Sequence, residues 1–110
     1  MKQEEKELYV ELVKEEGDLA AFASLVEEKI GELKDRNIVV DLSSEKALQP
    51  AQLLRFVNIS DTHRQRKKSF VVVTQQVGVD EVPDELILVP TIGEAEDLIQ
   101  MEEIERDLGF

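Results

Sequence analysis

The sequence has no cysteine and only one histidine among 110 residues. The absence of cysteine excludes disulfides, thiolate metal sites and a cysteine nucleophile, and it fits a reducing compartment. No apolar run approaches the roughly 20 residues that a membrane-spanning helix needs. The charged start, MKQEEKE, lacks the apolar core of a signal peptide. With 42% hydrophobic residues, the chain is expected to form a single domain over residues 1–110, soluble, cytoplasmic and without membrane contact.

Basic residues are also scarce, and they are unevenly placed. The chain has 25 acidic and 13 basic residues, a net charge of −12. Residues 1–35 carry a net −6, residues 36–78 a net +4 and residues 79–110 a net −10. The overall charge disfavours binding to nucleic acid or anionic lipid, because like charges repel. The positive middle segment leaves a local basic patch as an alternative.

Motifs of enzyme active sites are missing. The sequence contains no P-loop, dinucleotide-binding fingerprint or Gly-x-Ser-x-Gly motif. His63 has Ser60 and Asp61 nearby, but residues two or three apart on a helix do not converge into a catalytic triad. We expect His63 to be a surface residue near a helix C-terminus and the many carboxylates to be solvated. The sequence therefore predicts no catalytic residue, metal site or cofactor, and no enzyme activity.

The hydrophobic pattern alternates between strands and helices. Short apolar runs rich in β-branched residues predict buried strands, and apolar residues three or four positions apart predict helices. The predicted strands are 7–14, 37–42, 69–74 and 86–89. The predicted helices are 19–33, a second that starts at 50 and ends in the basic run 63–68, and 92–108. Loops are expected at 43–49 and 75–85. This order predicts an α/β fold with about four mostly parallel strands and three main helices.

The last helix has a clear start signal. Thr91 and Glu94 have the spacing of a capping box, in which each side chain bonds the other residue's backbone amide. The apolar positions expected to face the core are Ala95, Leu98, Ile99, Met101 and Ile104.

Three short motifs together resemble the STAS domain, the fold of anti-sigma-factor antagonists and sulfate-transporter tails. Gly17-Asp18-Leu19 precedes the first helix, Val40-Asp41-Leu42-Ser43 ends a buried strand, and Pro90-Thr91 with Glu94-Ala95 begins the last helix. The resemblance covers roughly residues 8–106 by pattern. It implies a STAS-like α/β fold and a regulatory, protein-binding role.

One departure from the family pattern bears on function. The family's Asp-Ser-Ser/Thr-Gly phosphorylation motif would fall on Gln49-Pro50-Ala51-Gln52, which has no hydroxyl group. A phosphate-driven charge switch is therefore absent at this site. The resemblance implies a constitutive, non-enzymatic protein-interaction module with a regulatory protein as its partner. The expected partner-binding residues are Ser44, Gln49, Pro50, Ala51, Gln52 and Arg55.

Two alternatives remain open at this stage. The first is an accessory protein for a ribonuclease or for RNA, with a basic patch formed by His63, Arg64, Arg66, Lys67 and Lys68. No aromatic residue that would stack on a base is interleaved with this patch, and cations at a helix C-terminus also have a purely structural explanation. The second is a small-ligand sensor, for which the sequence has no Gly-rich or aromatic pocket signal. Neither the partner nor the oligomeric state follows from the sequence.

Overall fold

The computed structural model describes residues 1–109, which form a five-stranded sheet and three α-helices. The strands are β1 (Lys2–Glu5), β2 (Tyr9–Val13), β3 (Asn37–Asp41), β4 (Phe70–Val73) and β5 (Leu88–Val89). The helices are α1 (Leu19–Glu32), α2 (Arg55–Arg64) and α3 (Ile92–Asp107). Two short 3-10 turns, Pro50–Leu53 and Val79–Glu81, lie in the connections. The predicted α/β class and the three helices are confirmed.

The strands lie side by side in chain order. β2, β3, β4 and β5 are parallel to one another, and β1 at the edge is antiparallel to β2. Parallel neighbours need a crossover connection; α1 crosses from β2 to β3 and α2 from β3 to β4. From β4 to β5 the chain makes only a loop with the 3-10 turn Val79–Glu81, as the short 75–85 segment predicts. The sheet is thus mixed, with one more strand than the sequence predicted.

The strand that sequence reasoning missed is β1. Its four residues, KQEE, include no apolar side chain. Its backbone pairs with β2 from Lys2 opposite Val13 to Glu5 opposite Val10. An edge strand made of polar and charged residues has no buried apolar face to show as a periodic pattern, and its charges oppose pairing with a further strand. Periodicity therefore gave no signal for β1.

The sheet separates two hydrophobic layers, because alternate side chains of each strand point to opposite faces. One face, with Val10 and Leu12 of β2, packs against α1 and α2 through Phe22, Val26 and Phe56. The rings of Phe22 and Phe56 lie 6.4 Å apart and tilted, which joins the two helices. The other face packs against α3 alone, with Tyr9, Val39, Val71, Val73, Ala95 and Ile99 buried between them.

The core prediction for α3 is right for its first half and wrong for its second. Ala95 and Ile99 are fully buried, and Leu98 packs partly against them. Met101 and Ile104 are each 59% exposed. The prediction failed because charged side chains, described below, occupy the inward face of the second half of α3. Apolar residues there point to solvent.

Candidate functional site

A cleft of about 300 Å³ lies between the start of α1 and the segment that leads into α2. Three of the expected partner-binding residues, Ala51, Gln52 and Arg55, line one side of it. The opposite wall comes from the beginning of α1, namely Asp18, Leu19, Ala20 and Ala23. Several of these side chains are short, so neither wall fills the space between the helices. This part of the expected surface is therefore a concave groove, with one wall from α1 and the other from the segment that leads into α2.

The wall from α1 was missed in the sequence-based interpretation. Its signal is the alanine-rich start of the helix, LAAFAS, in which Ala20 and Ala23 lie three positions apart on one face. Ala23 is buried and Ala20 is exposed, so the alanines extend from the core to the mouth of the cleft. Asp18 caps the helix by accepting a hydrogen bond of 3.2 Å from the Ala20 amide.

The segment that carries Ala51 and Gln52 is a 3-10 turn, not the first turn of an α-helix as predicted. The Gln52 amide donates to the Gln49 carbonyl at 3.0 Å, and the Leu54 amide donates to the Ala51 carbonyl at 3.3 Å. Pro50 begins the turn, where its missing amide proton costs nothing. The Gln52 side-chain oxygen accepts from the Gln49 amide at 2.8 Å. This bond fixes the Gln52 side chain at the rim of the cleft.

Arg55 closes one end of the cleft by reaching across to α1. Its guanidinium donates to the Ser24 hydroxyl and to the Glu27 carboxylate, each at 3.2 Å. The two charged side chains are about half exposed, so their ion pair contributes at most about 1 kcal/mol to stability. Since water competes for it, the contact is easily exchanged for one with a partner.

The other expected partner-binding residues are accessible but lie outside this cleft. Ser44 is exposed and borders a separate groove with Glu45 and the loop after β2. Its hydroxyl donates to the Lys14 carbonyl at 2.8 Å. Gln49 is exposed and Pro50 is half-buried at the start of the 3-10 turn. The structure thus unites Ala51, Gln52 and Arg55 in one site and leaves Ser44 apart.

A buried lysine beside Ser44 is a structural residue that sequence reasoning missed. Lys14 is only 3% exposed, and its ammonium donates to the carbonyls of Glu15 and Gly17, both at 2.8 Å. It also forms an ion pair with Glu45. These contacts hold the loop before α1, in which Gly17 has a positive φ of 120° that favours glycine. The sequence signal for the burial of Lys14 was its position, because it continues the alternation of Val10 and Leu12 on the same face of the strand.

Asp41, in the Asp-Leu-Ser motif, has a local structural role. Its carboxylate accepts from both the amide and the hydroxyl of Ser43, at 2.9 and 2.5 Å. This arrangement is an Asx turn, which bends the chain as it leaves a strand. The motif therefore sets the direction of the loop that leads to the cleft.

The interpretation of His63 as a surface residue is wrong, because its side chain is fully buried. Its Nε2 lies 2.6 Å from the Arg36 carbonyl, which only accepts, so Nε2 carries the proton. Arg66 Nη1 approaches the other nitrogen, Nδ1, at 3.4 Å. Burial lowers the pKa of His63, and the nearby charges of Arg66, Arg64 and Lys68 lower it too, against the opposing effect of the Arg36 hydrogen bond. His63 is thus a neutral core residue that links α2 to the chain before β3.

The predicted basic patch is largely engaged within the fold. Arg64 donates to the Phe70 carbonyl at 3.0 Å and pairs with Glu102 at 3.3 Å. Arg66 donates to the Ile30 carbonyl at 2.6 Å. Lys67 is exposed and Lys68 half-buried, and within residues 1–109 neither forms an ion pair. Arg66 likewise has no ionic partner among these residues, but its hydrogen bond to the Ile30 carbonyl holds it against the fold. Lys67 and Lys68 are therefore the cations of the patch whose side chains form neither an ion pair nor a hydrogen bond in the part of the chain described.

A carboxylate cluster on the face of the sheet that α3 covers was also missed. Glu11 is 6% exposed and lies directly across from Glu4 in the β1–β2 pair. Asp41 lies two positions beyond Val39, the partner of Glu11 in β3, and so faces the same side. Burial raises the pKa of Glu11 to about 7, and the charge of Asp41 and hydrogen bonding with Glu4 and Asp41 add to the rise. Among residues 1–109, no group of three or more His, Cys, Asp or Glu residues is arranged to hold a metal ion.

Comparisons with known proteins do not assign a family. A scan of the sequence against protein-family models finds no match, and a search of curated proteins finds none either. The resemblance to the STAS domain therefore stays a prediction based on the motifs quoted above. Within the described residues, none of the helices is long and apolar enough to cross a membrane.

Proposed function

We propose that the chain is a non-enzymatic protein-interaction module whose partner binds at the cleft between α1 and the 3-10 turn Pro50–Leu53. The observation that carries the proposal is that Ala51, Gln52 and Arg55, selected from the sequence as partner-binding residues, line one preformed cleft. A groove walled by alanines accepts a protruding side chain of a partner, and the groups at its rim fix the orientation of that side chain.

Constitutive binding is part of the proposal. Pro50 and Ala51 offer no hydroxyl at the position of the family's phosphorylation motif. The hydroxyl groups of Ser43 and Ser44 precede this position in the chain. However, Ser43 donates to Asp41, and Ser44 donates to the Lys14 carbonyl. Both hydroxyl groups therefore serve the loop structure. We infer that partner binding is set by expression level or by the partner itself.

Site-specific photo-crosslinking in the source cell tests the proposal. A photoreactive amino acid at Ala51 places the probe in the cleft, and one at Ala21 places it on α1 outside the cleft. Both positions are exposed, so both variants should fold. We expect a discrete protein adduct from position 51 and none from position 21. An absence of protein adducts at position 51, or the same adducts from both positions, would contradict the proposal.

A matched pair of substitutions then measures the contribution of the cleft. Ala51→Arg fills the groove, whereas Ala21→Arg adds the same side chain outside it. With the partner identified by crosslinking, we expect Ala51→Arg to weaken binding at least about tenfold, which corresponds to roughly 1.4 kcal/mol. Ala21→Arg should leave the affinity unchanged. Equal affinities for the two variants would place the interface elsewhere.

A further inference from the structure

The second half of α3 has an inverted distribution of polarity. Met101, Ile104 and Leu108 are 59%, 59% and 64% exposed. With about 100° of rotation per residue, positions spaced i, i+3 and i+7 fall within roughly 60° of arc on one side of a helix. They therefore form a continuous apolar stripe facing away from the sheet.

Polar side chains occupy the inward side of the same segment and fix its orientation. Glu102 accepts hydrogen bonds from the Ser69 hydroxyl and from Arg64. Glu103 accepts from the Asn37 side-chain amide at 3.0 Å. These contacts tie α3 to residues beside the starts of β3 and β4. Because the polar groups are satisfied facing inward, rotating the helix to bury the stripe would break them.

The charge around the stripe has one sign. Residues 79–110 contain 11 acidic residues and one basic residue. The exposed acids of α3 are Glu94, Glu96, Asp97, Glu105 and Asp107. The single base, Arg106, is turned inward, where it donates to Glu103 at 2.7 Å and to the Ser69 hydroxyl at 3.1 Å. An occupant of the stripe must therefore bring apolar side chains together with positive charge.

We propose that the outward face of α3 is a docking surface for a basic amphipathic helix of a partner protein. The three apolar residues provide a contact along two turns, as in helix–helix packing, and the acidic residues around them attract flanking lysines or arginines. A second copy of this chain would bring its own acidic stripe, and an anionic membrane would bring negative headgroups. Like-charge repulsion disfavours both occupants. This surface is separate from the α1 cleft.

A synthetic peptide provides the first test. The probe is a labelled amphipathic helix with leucines on one face and lysines on the flanks, and the control is a scrambled peptide of the same composition. Binding to the full chain is measured by fluorescence anisotropy at low salt. We expect the amphipathic peptide to bind at least tenfold more tightly than the scrambled one. Both peptides carry the same charge, but only the amphipathic one presents its leucines on one face. Equal binding, or no binding, would overturn the proposal.

Matched variants locate the peptide. Met101→Gln with Ile104→Gln removes two of the three apolar side chains of the stripe, whereas Val79→Gln removes an apolar side chain that is 65% exposed beside Asp80 and Glu81. We expect the double variant to bind the amphipathic peptide at least tenfold more weakly and Val79→Gln to bind it as the wild type does. Unchanged binding by the double variant would overturn the proposal. The proposal would also be overturned if the wild type formed a dimer in sedimentation experiments and the double variant did not, or if the wild type bound anionic vesicles.

Discussion

Glu11 gives the most direct test of the electrostatics of this fold. Its carboxyl group is almost completely buried, opposite Glu4 and near Asp41. Burial raises its pKa from 4.5 to about 7, with Asp41 and Glu4 adding to the rise. Between those two pH values the folded chain binds more protons at Glu11 than the unfolded chain does. The free energy of unfolding therefore falls as the pH rises through this range, and the full loss is present above pH 7.

The size of this loss follows from the two pKa values. A rise from 4.5 to about 7 corresponds to roughly 3 kcal/mol between the protonated and ionised folded states. We expect Glu11→Gln, a neutral side chain of the same shape, to remove this loss. The variant should match the wild type at pH 4.5 and be about 2–3 kcal/mol more stable at pH 8. Urea unfolding at a series of pH values measures the difference.

A control and a spectroscopic measurement make the test specific. Glu7 is exposed in the bend between β1 and β2, and we expect Glu7→Gln to leave the pH dependence of stability as in the wild type. Carbon-13 NMR of the Glu11 carboxyl should show a titration midpoint near 7. If the stability difference between Glu11→Gln and wild type is the same at every pH from 4.5 to 8, Glu11 does not ionise in the way described.

Two further predictions concern the end of α2. Lys67 has a positive φ of 66°, which strains a residue with a Cβ atom. We therefore expect Lys67→Gly to raise the free energy of unfolding by about 0.5–1 kcal/mol, measured by urea unfolding with Lys68→Gly as the control. A lower free energy of unfolding for Lys67→Gly than for the wild type would refute this reasoning. Because the pKa of buried His63 is lowered, the unfolded chain binds more protons below about pH 6.5, so stability should fall with the pH below that value. Nitrogen-15 NMR should show a proton on Nε2 facing the Arg36 carbonyl, and an Nδ1–H form or a midpoint above 6.5 would be inconsistent with this geometry.

The elements with a periodic apolar pattern were predictable from the sequence. Runs such as NIVVD and FVVV are apolar at successive positions because both of their faces are covered by helices. The buried stripe of α1, which includes Phe22, Val26 and Ile30, also follows its predicted spacing. In these elements, local pattern and tertiary environment agree. Sequence reasoning therefore found every element that buries apolar side chains on a regular period.

Several of the errors arise where a polar side chain is buried by a partner far away in the chain. His63 is buried because its proton reaches the carbonyl of Arg36, 27 residues away. Glu102 and Arg106 turn inward because Ser69 and Asn37 receive them. Such pairs leave no periodic trace, and hydrophobicity alone assigns the wrong side of the helix. Only one wall of the cleft was predicted. The wall from α1 was missed because it depends on how the two helices pack, which the pattern of a single segment does not show.

The two proposed surfaces lie on opposite sides of the sheet, and this separation has a consequence for binding. The cleft belongs to the layer formed by α1 and α2, whereas the stripe belongs to α3, which alone covers the other face. Packed strands fill the space between the layers, including Val39, Val40, Val71 and Val72, none of which is exposed. A partner in the cleft therefore leaves the outward face of α3 accessible. Because Ala51 and Ile104 lie on opposite sides of the sheet, a substitution at Ala51 should leave peptide binding to α3 unchanged, and a substitution at Ile104 should leave partner binding at the cleft unchanged.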